Sequence, residues 1–113
     1  MGGETLLKAT RDKNGQLLVA EVQGKVVGVI HQLFFYDLLN GGMNSYIGML
    51  VVEEHHRNQG IGSRLVESAI EAARQRRVVE VRLDGLKDKE DAIRFYRKHG
   101  FHSEETVNFF RGP

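Results

Sequence analysis

The sequence predicts an α/β domain whose mixed sheet begins with antiparallel strands. Strand-like runs at 16–23 and 26–35 are separated by Gly24-Lys25, and a short glycine-containing connection of this kind is typical of a β-hairpin. Farther along, apolar residues recur at helical spacing from Ile61 to Ala73. The alternating segment 78–83 follows this helix and predicts another strand. The predicted element order is β-β-β-α-β-α-β.

The segments around the hairpin have weaker patterns. The first fifteen residues are mostly polar, and Leu6, Leu7 and Ala9 fit either a short strand or one helical turn. The segment 37–44 contains Asn-Gly-Gly, which predicts a loop. The segment 46–52 is mostly apolar without alternation, which indicates a central strand buried on both faces.

The second half of the chain predicts two helices and two strands. The first helix spans 61–77, and the strand 78–83 comes directly after it. The segment 88–99 predicts a second helix that ends at Gly100, since glycine commonly follows the last helical turn. The segment 106–110 predicts the strand that closes the sheet.

Composition limits the class of protein. The 113 residues predict one domain, 1–113, and a net charge of +1 gives no strong field for nucleic acid or acidic lipid. The chain has no cysteine, which excludes disulfides and a Cys nucleophile and fits a reducing cytoplasm. No apolar stretch approaches the roughly 20 residues of a membrane-spanning helix. We therefore expect a soluble, cytoplasmic domain without nucleic-acid or membrane partners.

The segment from Leu50 to Leu65, LVVEEHHRNQGIGSRL, has the composition of an anion site. A strand leads through a charged loop into an amphipathic helix, whose first turn has N–H groups without intrahelical partners and the positive end of the dipole. Gly60 and Gly62 let a phosphate approach the backbone, and Arg57 adds a permanent cation.

Two common phosphate motifs do not fit this segment. A Walker A loop needs Lys-Ser/Thr where Ser63-Arg64 stands, and a Rossmann fingerprint needs a third glycine where Leu65 stands. The segment 57–62 has the pattern R-x-x-G-x-G and resembles the acyl-CoA pyrophosphate loop of the GNAT superfamily of N-acyltransferases. Tyr96 to Phe101 matches a second signature of that family, Tyr-x-x-x-Gly-Phe. The resemblance covers roughly 16–110.

The resemblance implies a cofactor site and a reaction. It implies that acetyl-CoA donates an acetyl group to a primary amine that attacks the thioester directly, and that the Tyr96 hydroxyl is the general acid for the departing thiolate. Asn58 stands where the family often has glycine, but Asn tolerates left-handed backbone geometry. The implied cofactor-binding residues are Leu50, Val51 and Val52, which pair with the pantetheine arm, and Arg57, Asn58, Gln59, Gly60, Ile61, Gly62 and Ser63, which bind the pyrophosphate.

The general base is not identified by the sequence. The strand before the loop has no carboxylate ahead of Glu53, which we interpret as a solvated loop charge. Tyr46, His31 and Asp84 are alternative bases, and a water chain is another. His55-His56 resembles a metal-binding pair, but adjacent residues of an extended chain point to opposite sides and no further ligands match them, so we expect no metal.

The N-terminus is short for the resembling family. Its fold usually begins with one more strand and two helices, which form much of the acceptor site, whereas about fifteen residues precede Gln16 here. We expect the stretch 33–36 and the loop 37–43 to line the acceptor side, and exposed apolar surface to favour a homodimer. A CoA-binding regulatory domain without catalysis, or an interaction domain whose loop binds a plain anion, are the alternative functions.

Overall fold

A computed structural model describes residues 4–85 and 88–113. In this part of the chain, one mixed sheet has the strand order β1-β2-β3-β4-β5. Neighbouring strands from β1 to β4 are antiparallel, and β5 is parallel to β4. The predicted α/β class with an antiparallel start is confirmed. The elements are β1 Thr5–Asp12, β2 Gly15–Val22, β3 Lys25–Asp37, β4 Gly42–Val52, the 3-10 turn Glu54–His56, α1 Ile61–Gln75, β5 Glu80–Leu83 and α2 Glu90–Lys98.

The weakly patterned N-terminal segment forms strand β1. It pairs with β2 along its whole length, from Thr5 opposite Val22 to Asp12 opposite Gly15. Leu7 is half-buried against the core, while its neighbours on either side are exposed. Of the two conformations that the sequence allowed, pairing with β2 selects the strand, because strand formation depends on cross-strand neighbours more than on local propensity.

Helix α1 packs on one face of the sheet and forms the core with it. The buried residues of α1 follow the predicted helical stripe. Gly28 allows the close approach, since a Cβ there would lie 3.1 Å from side-chain atoms of both Ile61 and Leu65. The buried core comprises Leu18, Ala20, Val27, Ile30, Ile47, Ile61, Leu65, Val66 and Ala69. No helix in 4–85 or 88–113 is long and apolar enough to cross a bilayer.

A buried polar network fixes α1 relative to the strands. Gln32 donates from Nε2 to Ser45 Oγ at 2.8 Å and to the Ala69 carbonyl at 3.0 Å. Gln16 Nε2 in turn donates to Gln32 Oε1 at 2.8 Å. The network therefore joins β2, β3, β4 and α1 through groups whose hydrogen bonds are satisfied.

Two predicted features of the central strands were wrong. Strand β4 is not buried on both faces, because Met49 and Val51 are 42% and 53% exposed. Its apolar run reflects a core on the α1 side and an open face on the other. The predicted loop 37–44 is also shorter, since β3 continues to Asp37 and β4 begins at Gly42. The Asp37 carboxylate accepts from the Leu39 N–H at 2.8 Å, which closes the connection as a tight turn.

The predicted closing strand at 106–110 was wrong as well. The chain from Phe101 to Pro113 has no regular secondary structure, and Phe109 and Phe110 are 92% and 95% exposed. Strand β5 has only four residues, so it presents a short edge for another strand to pair with. The segment 106–110 has no strand partner in the described chain, and strand formation depends on such a partner more than on local propensity.

Candidate functional site

Strands β4 and β5 separate at a glycine bulge. Their parallel pairing runs from Asn44 opposite Glu80 to Ile47 opposite Leu83, where β5 ends. The register between β3 and β4 shifts at the same level, because Ile47 pairs with Gln32 and Met49 with His31, so Gly48 has no opposite residue. A bulge of this kind bends the strand and increases its twist.

Beyond the bulge, β4 pairs with β3 on one side only. The segment from Gly48 to Val52 has no strand partner on its β5 side in the described chain. An unpaired strand edge offers alternating N–H and C=O groups to any extended molecule that lies beside it. Leu50, Val51 and Val52, which the sequence predicted as pantetheine-binding residues, lie on this open edge.

The open edge leads into the loop before α1. Arg57 Nε donates to the Val52 carbonyl at 3.2 Å, which anchors the loop to the end of β4. Asn58 and Gly60 lie in the left-handed region at φ 62° and 81°. Asn58 thus adopts the left-handed geometry that was expected of it, and Gln59 lies between the two, with its side-chain amide donating to the His55 carbonyl at 3.4 Å.

The first turn of α1 presents free backbone donors. Gly60 is the N-cap, and the Arg64 N–H donates to its carbonyl at 3.0 Å. The N–H groups of Ile61, Gly62 and Ser63 precede that bond and have no acceptor within the helix. These N–H groups and the positive end of the helix dipole are the features that an anion site at the start of a helix requires.

A cleft of about 630 Å³ lies between this loop and the start of α2. Arg57 lines it on the loop side, and Asp88, Lys89, Glu90, Asp91 and Ala92 line it on the α2 side. The resembling family often has Asn near the start of this helix. Here the cleft is lined by the acidic side chains of Asp88, Glu90 and Asp91 and by the cations of Arg57 and Lys89.

Tyr96 projects from α2 toward the segment that follows β5. Its ring packs edge-on against Phe95 and Phe101, with centroids 5.6 and 6.0 Å away. A Cβ on Gly85 would lie 4.0 Å from Tyr96 Cε2. Burial raises the pKa of the Tyr96 phenol above its ordinary value. The phenol is therefore protonated at neutral pH and has a proton to donate.

Tyr46 and Asp84 form a hydrogen bond beside the bulge. The Tyr46 hydroxyl donates to Asp84 Oδ2 at 2.7 Å, and this bond is the largest cause that raises the pKa of Tyr46. A Cβ on Gly48 would lie 3.5 Å from Tyr46 Cε2 and 4.0 Å from His31 Nδ1. The structure thus brings the three candidate bases of the sequence to one place. Glu53 is engaged elsewhere, because His56 Nδ1 lies 2.6 Å from its carboxylate.

The sequence analysis missed a second cluster, formed by Ser63, His99 and Glu67. Ser63 Oγ lies 3.0 Å from His99 Nε2, and His99 Nδ1 lies 2.7 Å from Glu67 Oε1. The His99 side chain is only 7% exposed. Ser63 and Glu67 share a face of α1 at i and i+4, but His99 lies 32 residues beyond Glu67, so no local pattern could reveal the contact.

Comparison with known proteins identifies the family. The chain belongs to the GNAT acetyltransferase family, because the sequence model of the Acetyltransferase (GNAT) family matches residues 3–101. Over 100 residues the chain is 35% identical to an uncharacterized N-acetyltransferase of Methanocaldococcus jannaschii, a match that covers 86% of this chain and 43% of the relative. The chain spans less than half the length of the curated relatives that it matches.

Solved structures share the fold. A crystal structure described as a transcriptional regulator from Bacillus halodurans C-125 has a TM-score of 0.80 at 35% identity, and the match covers 89% of this chain and 69% of that one. A crystal structure of an aminoglycoside acetyltransferase from an uncultured soil metagenomic sample, in complex with trehalose, has a TM-score of 0.79 at 25% identity, with 91% and 68% covered.

Proposed function

We propose that residues 1–113 form one acetyl-CoA-binding domain that transfers the acetyl group to a primary amine. The open edge of β4 from Gly48 to Val52, continuous with the N-terminus of α1, supports this proposal most strongly. A thioester cofactor with an extended arm and a pyrophosphate needs both features in this order. Membership of the GNAT family supports acyl transfer as the class of chemistry.

The cofactor binds along this edge. Its pantetheine arm pairs with the main chain of Leu50, Val51 and Val52 as an additional strand. Its pyrophosphate accepts hydrogen bonds from the N–H groups at the start of α1, and Arg57 contributes a positive charge. This arrangement brings the thioester toward the Gly48 bulge, beside Tyr46 and its partner Asp84. Tyr96 lies next to Gly85, the residue after Asp84.

The reaction is direct attack within a ternary complex. The amine nitrogen forms a bond to the thioester carbonyl carbon, and main-chain N–H groups of β4 stabilise the oxyanion that develops. The C–S bond then breaks, and the departing thiolate takes the proton of the Tyr96 hydroxyl. The nitrogen loses one proton to a base, so that the products are an amide and free CoA.

We assign the base to Asp84. Tyr46 is a poor base, since its raised pKa keeps the phenol protonated at neutral pH. Asp84 is exposed directly after β5 and accepts the Tyr46 hydrogen bond with one oxygen, which leaves the other carboxylate oxygen available to the amine. Tyr46 is then a positioning residue that holds the carboxylate beside the gap between β4 and β5.

The acceptor belongs to the primary amines. The similar structure described as an aminoglycoside acetyltransferase makes amino sugars the first acceptors to test. A second candidate function is CoA binding without turnover, which the similar structure described as a transcriptional regulator favours.

Release of CoA thiol from acetyl-CoA, measured against a panel of amines, distinguishes the two functions. We expect amine-dependent release by the wild-type chain and a fall in kcat of about 100-fold or more in Tyr96→Phe, because general acid catalysis contributes about 10² to 10⁴. CoA affinity is unchanged in that variant. Because burial raises the pKa of Tyr96, the alkaline fall of kcat occurs above pH 10 in the wild type and is absent from the variant. Equal kcat in both chains contradicts the assignment, and CoA binding with no release for any amine favours the regulatory function.

We also propose a homodimer that forms through the open sheet face. The cross-strand pairs Leu17–His31 and His31–Met49 put these three residues on the face opposite α1. The exposed apolar residues of this face are Leu6, Leu17, Leu33, Phe35, Met49 and Val51. Several exposed apolar side chains on one face of a sheet favour association through that face. The cytoplasmic location stays a prediction from the sequence.

A further inference from the structure

Two hydrogen bonds connect the C-terminal end of α2 to the first two turns of α1. Ser63, the third residue of α1, contacts His99 Nε2 at 3.0 Å, and Glu67, one turn later, contacts His99 Nδ1 at 2.7 Å. The His99 side chain is nearly buried and packs on the Phe95 ring with centroids 4.7 Å apart. The imidazole orientation is thus fixed by both helices.

The carboxylate determines which ring nitrogen carries the proton. An ionised carboxylate only accepts hydrogen bonds, so His99 Nδ1 is protonated. In the neutral ring, Nε2 is then an acceptor, and the Ser63 hydroxyl must donate its proton to it. Ser63 consequently offers only lone pairs to any other group. When His99 is protonated, Nε2–H donates to Ser63 Oγ, and the hydroxyl proton is released for another acceptor.

Ser63 carries this hydroxyl on the helix turn to which the proposed function assigns the pyrophosphate. Ser63 belongs to the first turn of α1, beside the free N–H groups of Ile61 and Gly62. An anion bound there accepts from a hydroxyl and is repelled by its lone pairs. Neutral His99 therefore opposes anion binding through Ser63, and protonated His99 favours it.

We propose that binding of the cofactor's pyrophosphate draws one proton from solvent onto His99, and that the Ser63 hydroxyl then donates to a phosphate oxygen. His99 and Glu67 are positioning residues that act through Ser63. The proposal rests on the proposed function, because it needs the pyrophosphate at the start of α1. By linkage, protonation and cofactor binding strengthen each other equally.

Other charged groups near this cluster must be separated from its effect. Glu67 is the charged partner of His99 on α1, while the Arg64 guanidinium of the same turn donates instead to the Thr5 carbonyl at 3.1 Å. On α2, Arg97 and Lys98 precede His99. The loop before α1 adds two more histidines, His55 and His56. Proton uptake by these loop histidines is distinguished from uptake by His99 through single substitutions.

Titration calorimetry of CoA binding in buffers of different ionisation enthalpy measures the proton uptake. We expect the wild-type chain to take up a fraction of a proton on binding CoA, and His99→Gln and Ser63→Ala both to lose this uptake. In the wild type the affinity for CoA then changes by up to about tenfold per pH unit. In both variants the affinity for CoA depends less on pH. The protonation of CoA itself is common to all variants and cancels in the differences. His102→Gln, at an exposed position after α2, is the matched control and keeps the uptake.

A second measurement avoids any effect of substitution on folding. In the wild-type chain, the NMR titration midpoint of His99 moves to higher pH when CoA is added. If CoA binds, proton uptake that persists in His99→Gln or in Ser63→Ala overturns the proposed coupling between His99 protonation and cofactor binding. A His99 midpoint that does not move overturns it as well. Absence of CoA binding to the wild-type chain overturns the proposed function together with this coupling.

Discussion

Asp84 and Tyr46 are 38 residues apart in the sequence and share a hydrogen bond at the point where β5 ends. Their roles differ because only one of them is a carboxylate. The hydrogen bond raises the pKa of Tyr46, so the phenol is a donor at neutral pH and orients Asp84 rather than accepting a proton. This hydrogen bond is the reason that we propose Asp84 as the base and Tyr46 as its positioning partner.

Substitution of Asp84 and of Tyr46, one at a time, distinguishes the effect of the proposed base from that of its positioning partner. We expect Asp84→Asn to lower kcat/KM by about 100-fold or more, since general base catalysis contributes about 10² to 10⁴, and Tyr46→Phe to lower it less. Steady-state rates of thiol release measure both, with CoA affinity as the control for folding. A larger loss in Tyr46→Phe than in Asp84→Asn would contradict the assignment of the base to Asp84.

Residues of the site differed in how far the sequence could reveal them. The loop Arg57 to Ser63 is local, so its glycines, its cation and the following helical period lie within one segment. The contacts of Tyr46 with Asp84 and of Ser63 with His99 depend on tertiary packing between distant segments. Tyr46 and Asp84 were candidates only as chemical types, and His99 was not a candidate at all.

Among the elements, α1 and the β2–β3 hairpin were predictable because each has its own complete signal. The helix has a continuous apolar stripe, and the hairpin has a glycine-containing pair between two strand-like runs. Strand β1 and the segment 106–110 have weak or short signals, and pairing alone decided their conformation. Strand β1 has β2 beside it over eight residues, whereas 106–110 has no paired neighbour.

The burial of β4 could not be predicted from its composition. An apolar strand is typical of a sheet covered on both faces. In the described chain, α1 covers one face and leaves Met49 and Val51 exposed on the other. The sequence of a strand shows how apolar that strand is. Whether one or both of its faces are covered depends on the other elements that pack against the sheet. The gap between β4 and β5 arises similarly, from the short length of β5 and the Gly48 bulge.

For the whole molecule, the open sheet face predicts self-association. We expect the wild-type chain to sediment as a dimer, and Leu17→Glu or Leu33→Glu to shift it toward the monomer. The new carboxylate lies on the face that the dimer covers, so it must lose its water when two chains associate. Leu38→Glu, in the exposed turn between β3 and β4, is the control that keeps the dimer. A wild-type monomer at every concentration, or equal dissociation by all three variants, would contradict the dimer.

The central claim is that the open edge of β4 and the first turn of α1 together bind acyl-CoA. Titration calorimetry of the wild-type chain with CoA and with acetyl-CoA tests it most directly, alongside Gly62→Glu and its matched control Gly62→Ala. A Cβ at Gly62 meets Phe95 at an ordinary 3.4 Å, so the Ala variant retains the fold.

We predict saturable binding near one cofactor per chain, little changed in Gly62→Ala. In Gly62→Glu the affinity is at least about 100-fold weaker, because the new carboxylate lies beside the pyrophosphate. Wild-type binding that is absent, or that persists undiminished in Gly62→Glu, would contradict the claim.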